Sequence, residues 1–125
     1  MKKEKYHLDL QENYLMNFEI VFSDNFLREI KKLSKKYKSI KSDFESFLDE
    51  LENNPLQGAP LGKDCYKVRM SITSKNKGKS GGARVITYVK ITKEKVILLS
   101  IYDKKEQDSI SDNEIDKLLK YIEFN

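Results

Sequence analysis

Lys67 and Arg69 stand at i and i+2 in the alternating stretch CYKVRMSI, and Arg84 opens the next strand-like run, ARVITYVKI. Lys104 follows a third such run, directly after Tyr102 and Asp103. On a strand, a spacing of two puts side chains on one face, about 7 Å apart. Cations gathered this way on neighbouring strands repel, because like charges opposite one another destabilise a sheet. That cost is offset when they face water or an anion, and the pattern favours a phosphate.

Between these strands lies SKNKGKSGGARVITY, where Lys75, Lys77, Lys79 and Arg84 are interleaved with glycines. Gly78-Lys79-Ser80 invites comparison with a nucleotide-binding P-loop, which needs a glycine five residues ahead of its GK[ST] and a helix behind it. Thr73 occupies the leading position and a strand follows, so this loop is not a P-loop. No histidine or carboxylate cluster lies near these strands to suggest a metal. His7, the single histidine, has no partner pattern and leaves no Ser-His-Asp triad. No metal and no cofactor are expected.

The elements that must position these residues follow from periodicity. Phe18, Ile20 and Phe22 alternate as a half-buried first strand. Ser23 can cap a helix carrying Phe26, Leu27, Ile30, Leu33 and Tyr37, whose other face is rich in lysine. Ser42 with Glu45 reads as a capping box for a second helix carrying Phe44, Phe47, Leu48 and Leu51. Pro55, Gly58 and Pro60 in NNPLQGAP are breakers that end it. Tyr66, Val68, Met70 and Ile72 then point one way and Lys67, Arg69, Ser71 and Thr73 the other. KVILLSIY is apolar on both faces, as a central strand would be. Ser111 and Glu114 form a second capping box before Ile115, Leu118, Leu119 and Ile122.

The expectation is an α+β domain: an N-terminal strand and an α-helical hairpin packed on a small antiparallel meander sheet, with a C-terminal helix. At 125 residues one domain is expected, over 16–125, with 1–15 an extension and Met16 a candidate natural start. The chain is 35% charged and carries a net charge of +4, with its basic residues segregated. Arg28, Lys31, Lys32, Lys35, Lys36, Lys38 and Lys41 form one basic stretch, and Lys63 to Arg84 forms another in which only Asp64 is acidic. Such segregation suggests a polyanionic partner. Cys65 is the only cysteine, which fits a reducing cytoplasm, and the absence of a long apolar run argues against a membrane partner.

The segments NPLQGAPLGKDCYKVRMSI, KGKSGGARVITYV and VILLSIYDKKE, in that order after a helical hairpin, resemble the RelE/ParE toxin superfamily, close to HigB-like toxins with a long glycine-rich hairpin loop. The resemblance runs from about Met16 to the C-terminal helix. It implies the toxin of a type II toxin–antitoxin system, a cytoplasmic, ribosome-dependent endoribonuclease that cuts mRNA without metal. Its partners would be a cognate antitoxin, the ribosome and mRNA, with DNA bound only through a toxin–antitoxin complex. Carried over by position, Lys67, Arg69, Arg84 and Lys104 match the family's basic residues, while Ile110 stands where the family often has tyrosine or histidine. Tyr102 or Asp103 is the candidate substitute. Lys67 would act as base or electrostatic stabiliser, Arg84 would stabilise the transition state, and Lys104 or Tyr102 would assist the leaving oxygen. Lys75, Lys77 and Lys79 would attract the RNA backbone. Two other readings stay open: a ParE-like inhibitor of DNA gyrase that cuts nothing, and an inactive RelE-fold binding protein.

Overall fold

A computed structural model describes residues 18–76, 78–107 and 109–122. The expected extension 1–15, the start at Met16, His7 and Lys77 lie outside the described residues. Strand β1 (Glu19–Phe22) leads through Ser23 into helix α1 (Asp24–Lys36). Ser23 is the cap the sequence indicates: its Oγ accepts the Phe26 N–H at 3.1 Å, satisfying a donor that every helix start leaves open.

Helix α2 (Ile40–Asn53) starts ahead of the expected capping box. Ser42 lies inside its first turn, where its hydroxyl donates to the Ser39 carbonyl rather than capping the helix. Tertiary contacts set the start. Ile40 is buried at the helix entrance, and the Asp43 carboxylate accepts hydrogen bonds from Ser39 Oγ and from the Thr73 N–H and hydroxyl.

The segment expected to act only as a breaker contributes a strand, β2 (Ala59–Gly62). It is followed by β3 (Cys65–Met70), β4 (Ala83–Lys90), β5 (Lys95–Asp103) and helix α3 (Asp112–Lys120). The strand order is β1-β5-β4-β3-β2. Pro60 is compatible with a strand here because β2 is an edge, where a missing N–H removes no ladder bond on the open side. The β2–β3 turn uses Lys63 (φ 58°) and Asp64 (φ 62°) in the left-handed region, as tight hairpin turns do. β3 through β5 form the expected antiparallel meander, which β2 extends at its edge, whereas β1 joins β5 in parallel, from Glu19 opposite Lys95 to Phe22 opposite Leu98.

Two apolar layers sandwich the sheet. On one face Phe26, Leu33, Phe47 and Leu51 of the helical hairpin pack on Val68, Met70, Val85 and Leu98. On the other, Ile115 of α3 covers Cys65, Ile86, Ile97 and Leu99. The Ser111–Glu114 capping box forms as expected.

An irregularity in β5 matters for everything below. Ile86 pairs with Ser100 but the next residue, Thr87, pairs with Leu98, so Leu99 is an extra residue in the ladder. Alternation therefore changes phase. Ile97 and Leu99 face α3, but beyond the bulge Ile101 joins the hairpin core while Tyr102 faces α3. Glu29 of α1 stabilises the break: its Oε1 accepts the Ile101 N–H at 3.1 Å, Ser100 Oγ at 2.7 Å and Asn25 Nδ2 at 2.9 Å. Gly82, just before β4, is needed for close approach, since a Cβ there would lie 2.2 Å from the Met70 carbonyl oxygen.

Candidate functional site: a cationic cleft

Cys65 and Ile86 face α3, so by alternation Lys67, Arg69 and Arg84 share that face beyond the cover of the helix. There they line a cleft of about 620 Å³, joined by Lys79 from the β3–β4 connection and Lys104 from the turn after β5. Gln57, Gly58, Ala59, Val68 and Ser109 complete the wall, and no carboxylate is among the lining residues. A cleft lined by one sign of charge focuses potential and concentrates counter-ions.

Register arranges the cations in a row. Arg69 lies directly opposite Arg84, and Arg84 directly opposite Tyr102, across three adjacent strands. Arg69 is exposed, Lys67 half-buried, and Lys79 and Lys104 are exposed at the rim. Arg84 forms the floor at 4% exposure. Its Nη1 donates to the Lys79 and Ala83 carbonyls, both at 3.1 Å, and its Nη2 to the Ser80 carbonyl at 3.0 Å. These bonds let a guanidinium stay charged in the interior and fasten the short turn Lys79–Gly81 above it. Lys79 in turn reaches Glu50 of α2, at 3.1 Å and 3.3 Å to its two carboxylate oxygens.

Of the residues singled out by sequence, Lys67, Arg69, Lys79, Arg84 and Lys104 are therefore brought together. Tyr102 shares their face, buried at 7% exposure. Asp103 and Lys75 are not in the cleft. The phase change in β5 turns Asp103 to the helical-hairpin side, where it accepts the Tyr37 hydroxyl at 2.6 Å, Lys75 Nζ at 2.8 Å and the Lys105 N–H at 3.0 Å. Burial alone would push the Asp103 carboxyl up, but the bonds from Lys75, Tyr37 and Lys105, with the Lys75 charge, outweigh it and hold the carboxyl at about 2. The bond to that carboxylate in turn raises the Tyr37 hydroxyl above its usual value.

Ile110 is half-buried against the α3-side cluster and offers no proton, while the adjacent Ser109 lines the cleft. Sequence reasoning missed Ser109, Glu50 and the 57–59 backbone wall. Glu50 and residues 57–59 come from segments other than those carrying the cations, and no local pattern marks any of the three. Among the described residues no three His, Cys, Asp or Glu side chains gather as metal ligands would. Nor is any helix among the described residues long and apolar enough to cross a membrane.

A family model described as RelE toxin of the RelE/RelB toxin–antitoxin system matches residues 22–123. The chain belongs to the RelE toxin family. Solved RelE structures share its fold. A free-state E. coli RelE carrying two arginine-to-alanine substitutions is 19% identical, with a TM-score of 0.56 over 85% of this chain and 98% of that one. The isolated E. coli RelE toxin is 18% identical, with a TM-score of 0.54 over 84% of this chain and 99% of that one. The intact E. coli RelBE toxin–antitoxin complex is 22% identical, with a TM-score of 0.53 over 69% of this chain and 95% of that chain. The strand, helical hairpin, sheet and final helix are thus a RelE fold, with the cationic cleft set on the α3 side of its sheet.

Proposed function

We propose that this RelE-family chain is a metal-independent, ribosome-dependent endoribonuclease that cuts mRNA in the cationic cleft and is restrained by a cognate antitoxin. One observation carries the reading: five cations from four separate segments line one cleft with no carboxylate among its walls, Lys79 also reaching Glu50 outside it. An arrangement this repulsive suits a site that is completed by phosphate.

In the proposed reaction the ribose 2′-oxygen forms a bond to the adjacent phosphorus as the bond from phosphorus to the 5′-oxygen breaks. The 2′ proton passes to a base and the departing 5′-oxygen gains a proton, leaving a 2′,3′-cyclic phosphate and a 5′-hydroxyl. Arg69, exposed on the cleft floor, meets the phosphoryl oxygens as charge grows on them, a contribution of about 3 kcal/mol for a preorganised donor. Arg84 adds charge from beneath and fixes the turn that carries Lys79. Lys67 serves as base or electrostatic stabiliser, and Lys104 at the rim assists the leaving oxygen. Tyr102 is the second candidate for that step; Asp103, facing away, is assigned no proton transfer.

The test is a cell-free bacterial translation reaction with new 5′ ends on the message mapped by primer extension, beside naked RNA and the Lys67→Ala and Arg69→Ala proteins. Cuts that need ribosomes and fall at least 10²-fold with either variant would support the mechanism. Growth arrest without cuts would replace it with a protein target such as gyrase. A chain that binds antitoxin but neither cuts nor arrests growth would be an inactive RelE-fold binding protein.

A further inference from the structure

The Asp103 carboxylate, fully buried, holds three segments at once on the side of the sheet away from the cleft. Tyr37 is the residue at the end of α1, Lys75 belongs to the short turn Thr73–Lys75 in the β3–β4 connection, and Lys105 lies in the turn after β5. The backbone carbonyl of Asp103 also accepts the Glu106 and Gln107 N–H groups, at 3.0 Å and 3.2 Å. Lys75 is itself only 10% exposed on its side chain, and its Nζ lies 5.6 Å from the centre of the Tyr37 ring. Two of the segments so held carry cations of the opposite face. Lys79 follows Lys75 in the same connection, and Lys104 follows Asp103 itself. The two segments also meet directly, through the Lys104 N–H and the Gly82 carbonyl at 3.0 Å. The cleft thus has a floor set by strand register, carrying Lys67, Arg69 and Arg84, and a rim set by these loops.

We propose that Lys75 and Asp103 form a positioning pair: neither contacts the nucleic acid, and together they set the Lys79 and Lys104 rim against a phosphate chain in the cleft. The inference rests on the cleft binding RNA. It reassigns Lys75 from a backbone-binding cation to a structural partner, because its charge is committed to a buried carboxylate.

The pair makes a prediction whose sign separates positioning from simple attraction. Asp103→Asn raises the net charge by one, so attraction alone predicts tighter RNA binding, and the more so if Lys75 were released to touch phosphate. Positioning predicts weaker binding, because the rim loses one of its anchors. Each single-strand phosphate contact contributes about 0.7 to the slope of log affinity against log salt. Losing the Lys79 and Lys104 contacts together therefore flattens the slope by about 1.4.

The experiment is fluorescence anisotropy of a dye-labelled oligouridylate with wild type, Asp103→Asn and Lys75→Met over a salt series, below each melting temperature. Expected is the same flattening of about 1.4, with several-fold weaker binding, in both variants. Unchanged slopes on folded variants would overturn the inference, even if both melt earlier, because a role in stability alone does not alter contacts made by the folded fraction. A flattening of about 0.7 in Lys75→Met with tighter binding by Asp103→Asn would equally overturn it, restoring Lys75 as a direct contact. Should Asp103→Asn fail to fold, Lys75→Met decides, since it leaves the carboxylate bonded to Tyr37 and Lys105: about 1.4 supports the pair and about 0.7 or less removes it. Wild type without salt-dependent binding would remove the cleft reading and this inference together, whereas salt-dependent wild type with unaltered variants removes the inference alone.

Discussion

Arg69 and Arg84 face each other across two strands, yet they should answer mutation differently. Arg69 is exposed, so Arg69→Ala is expected to change stability by no more than about 0.5 kcal/mol while removing the guanidinium proposed to meet phosphate. Arg84→Ala removes a buried guanidinium and its bonds to three carbonyls, two of them on the exposed turn residues Lys79 and Ser80, and a loss on the order of 2 kcal/mol is expected. Urea unfolding of the two variants checks the contrast; equal losses would mean that the Arg84 bonds contribute nothing net. Asp103 supplies a pH dependence. Its carboxyl falls from 3.8 to about 2 on folding, so the associated stability is fully present above pH 3.8 and is lost as pH drops through about 2. The shift corresponds to roughly 2 kcal/mol. Wild type should lose that amount between about pH 4 and pH 2, and Asp103→Asn should lack that component of the profile. Unfolding midpoints measured across this range provide the check.

At the scale of elements, the bulge in β5 decides which of two adjacent residues reaches the cleft face. Strict alternation from Ile97 and Leu99 would have turned Asp103 to the face of Arg84 and Tyr102 toward the helical hairpin. The extra residue exchanges them, and Glu29 holds the break by accepting the Ile101 N–H. Glu29→Ala should therefore cost about 1–3 kcal/mol, because it leaves a buried donor unpaired. Glu29→Gln, which keeps an acceptor oxygen, should cost less. Calorimetric melting of both variants tests the claim, and equal small losses would deny Glu29 this role. The caps at Ser23 and Ser111 were legible because capping chemistry is confined to one turn. The start of α2 was not, since its first turn answers to Ile40 burial and to Thr73, thirty residues away from Asp43. Pro60 misled for a related reason: a breaker in a central strand is tolerated at an edge, and sequence alone does not say which strand is the edge.

At the scale of the molecule, the sheet separates two basic surfaces. The cleft lies on the α3 side, while the lysine-rich helix α1 covers the hairpin side, its one mid-helix carboxylate, Glu29, turned inward against β5. Cys65 is sealed beneath α3 at 1% exposure, and burial pushes its thiol up to about 11. Because the thiolate is the reactive form, native protein near pH 8 should label with a maleimide far more slowly than a free cysteine. Labelling should accelerate as urea opens the α3 layer. Fast labelling of the native chain would show that α3 does not seal this face in solution.

The order of the helices and of four of the five strands, the apolar face of each helix, two of the three helix starts and the pairing of Lys67 with Arg69 on one strand face were all determined by the sequence. They depend on periods of two and of three to four residues and on single-turn capping, interactions that act within a few positions of each other. The tertiary structure alone decided that β1 runs parallel to β5, that Pro60 sits in an edge strand, and that Lys75 and Asp103, of the residues nominated by sequence, withdraw from the cleft. Those outcomes turn on register and on one inserted residue in β5. Register is fixed by partners many residues away, and a single insertion reverses every side chain beyond it.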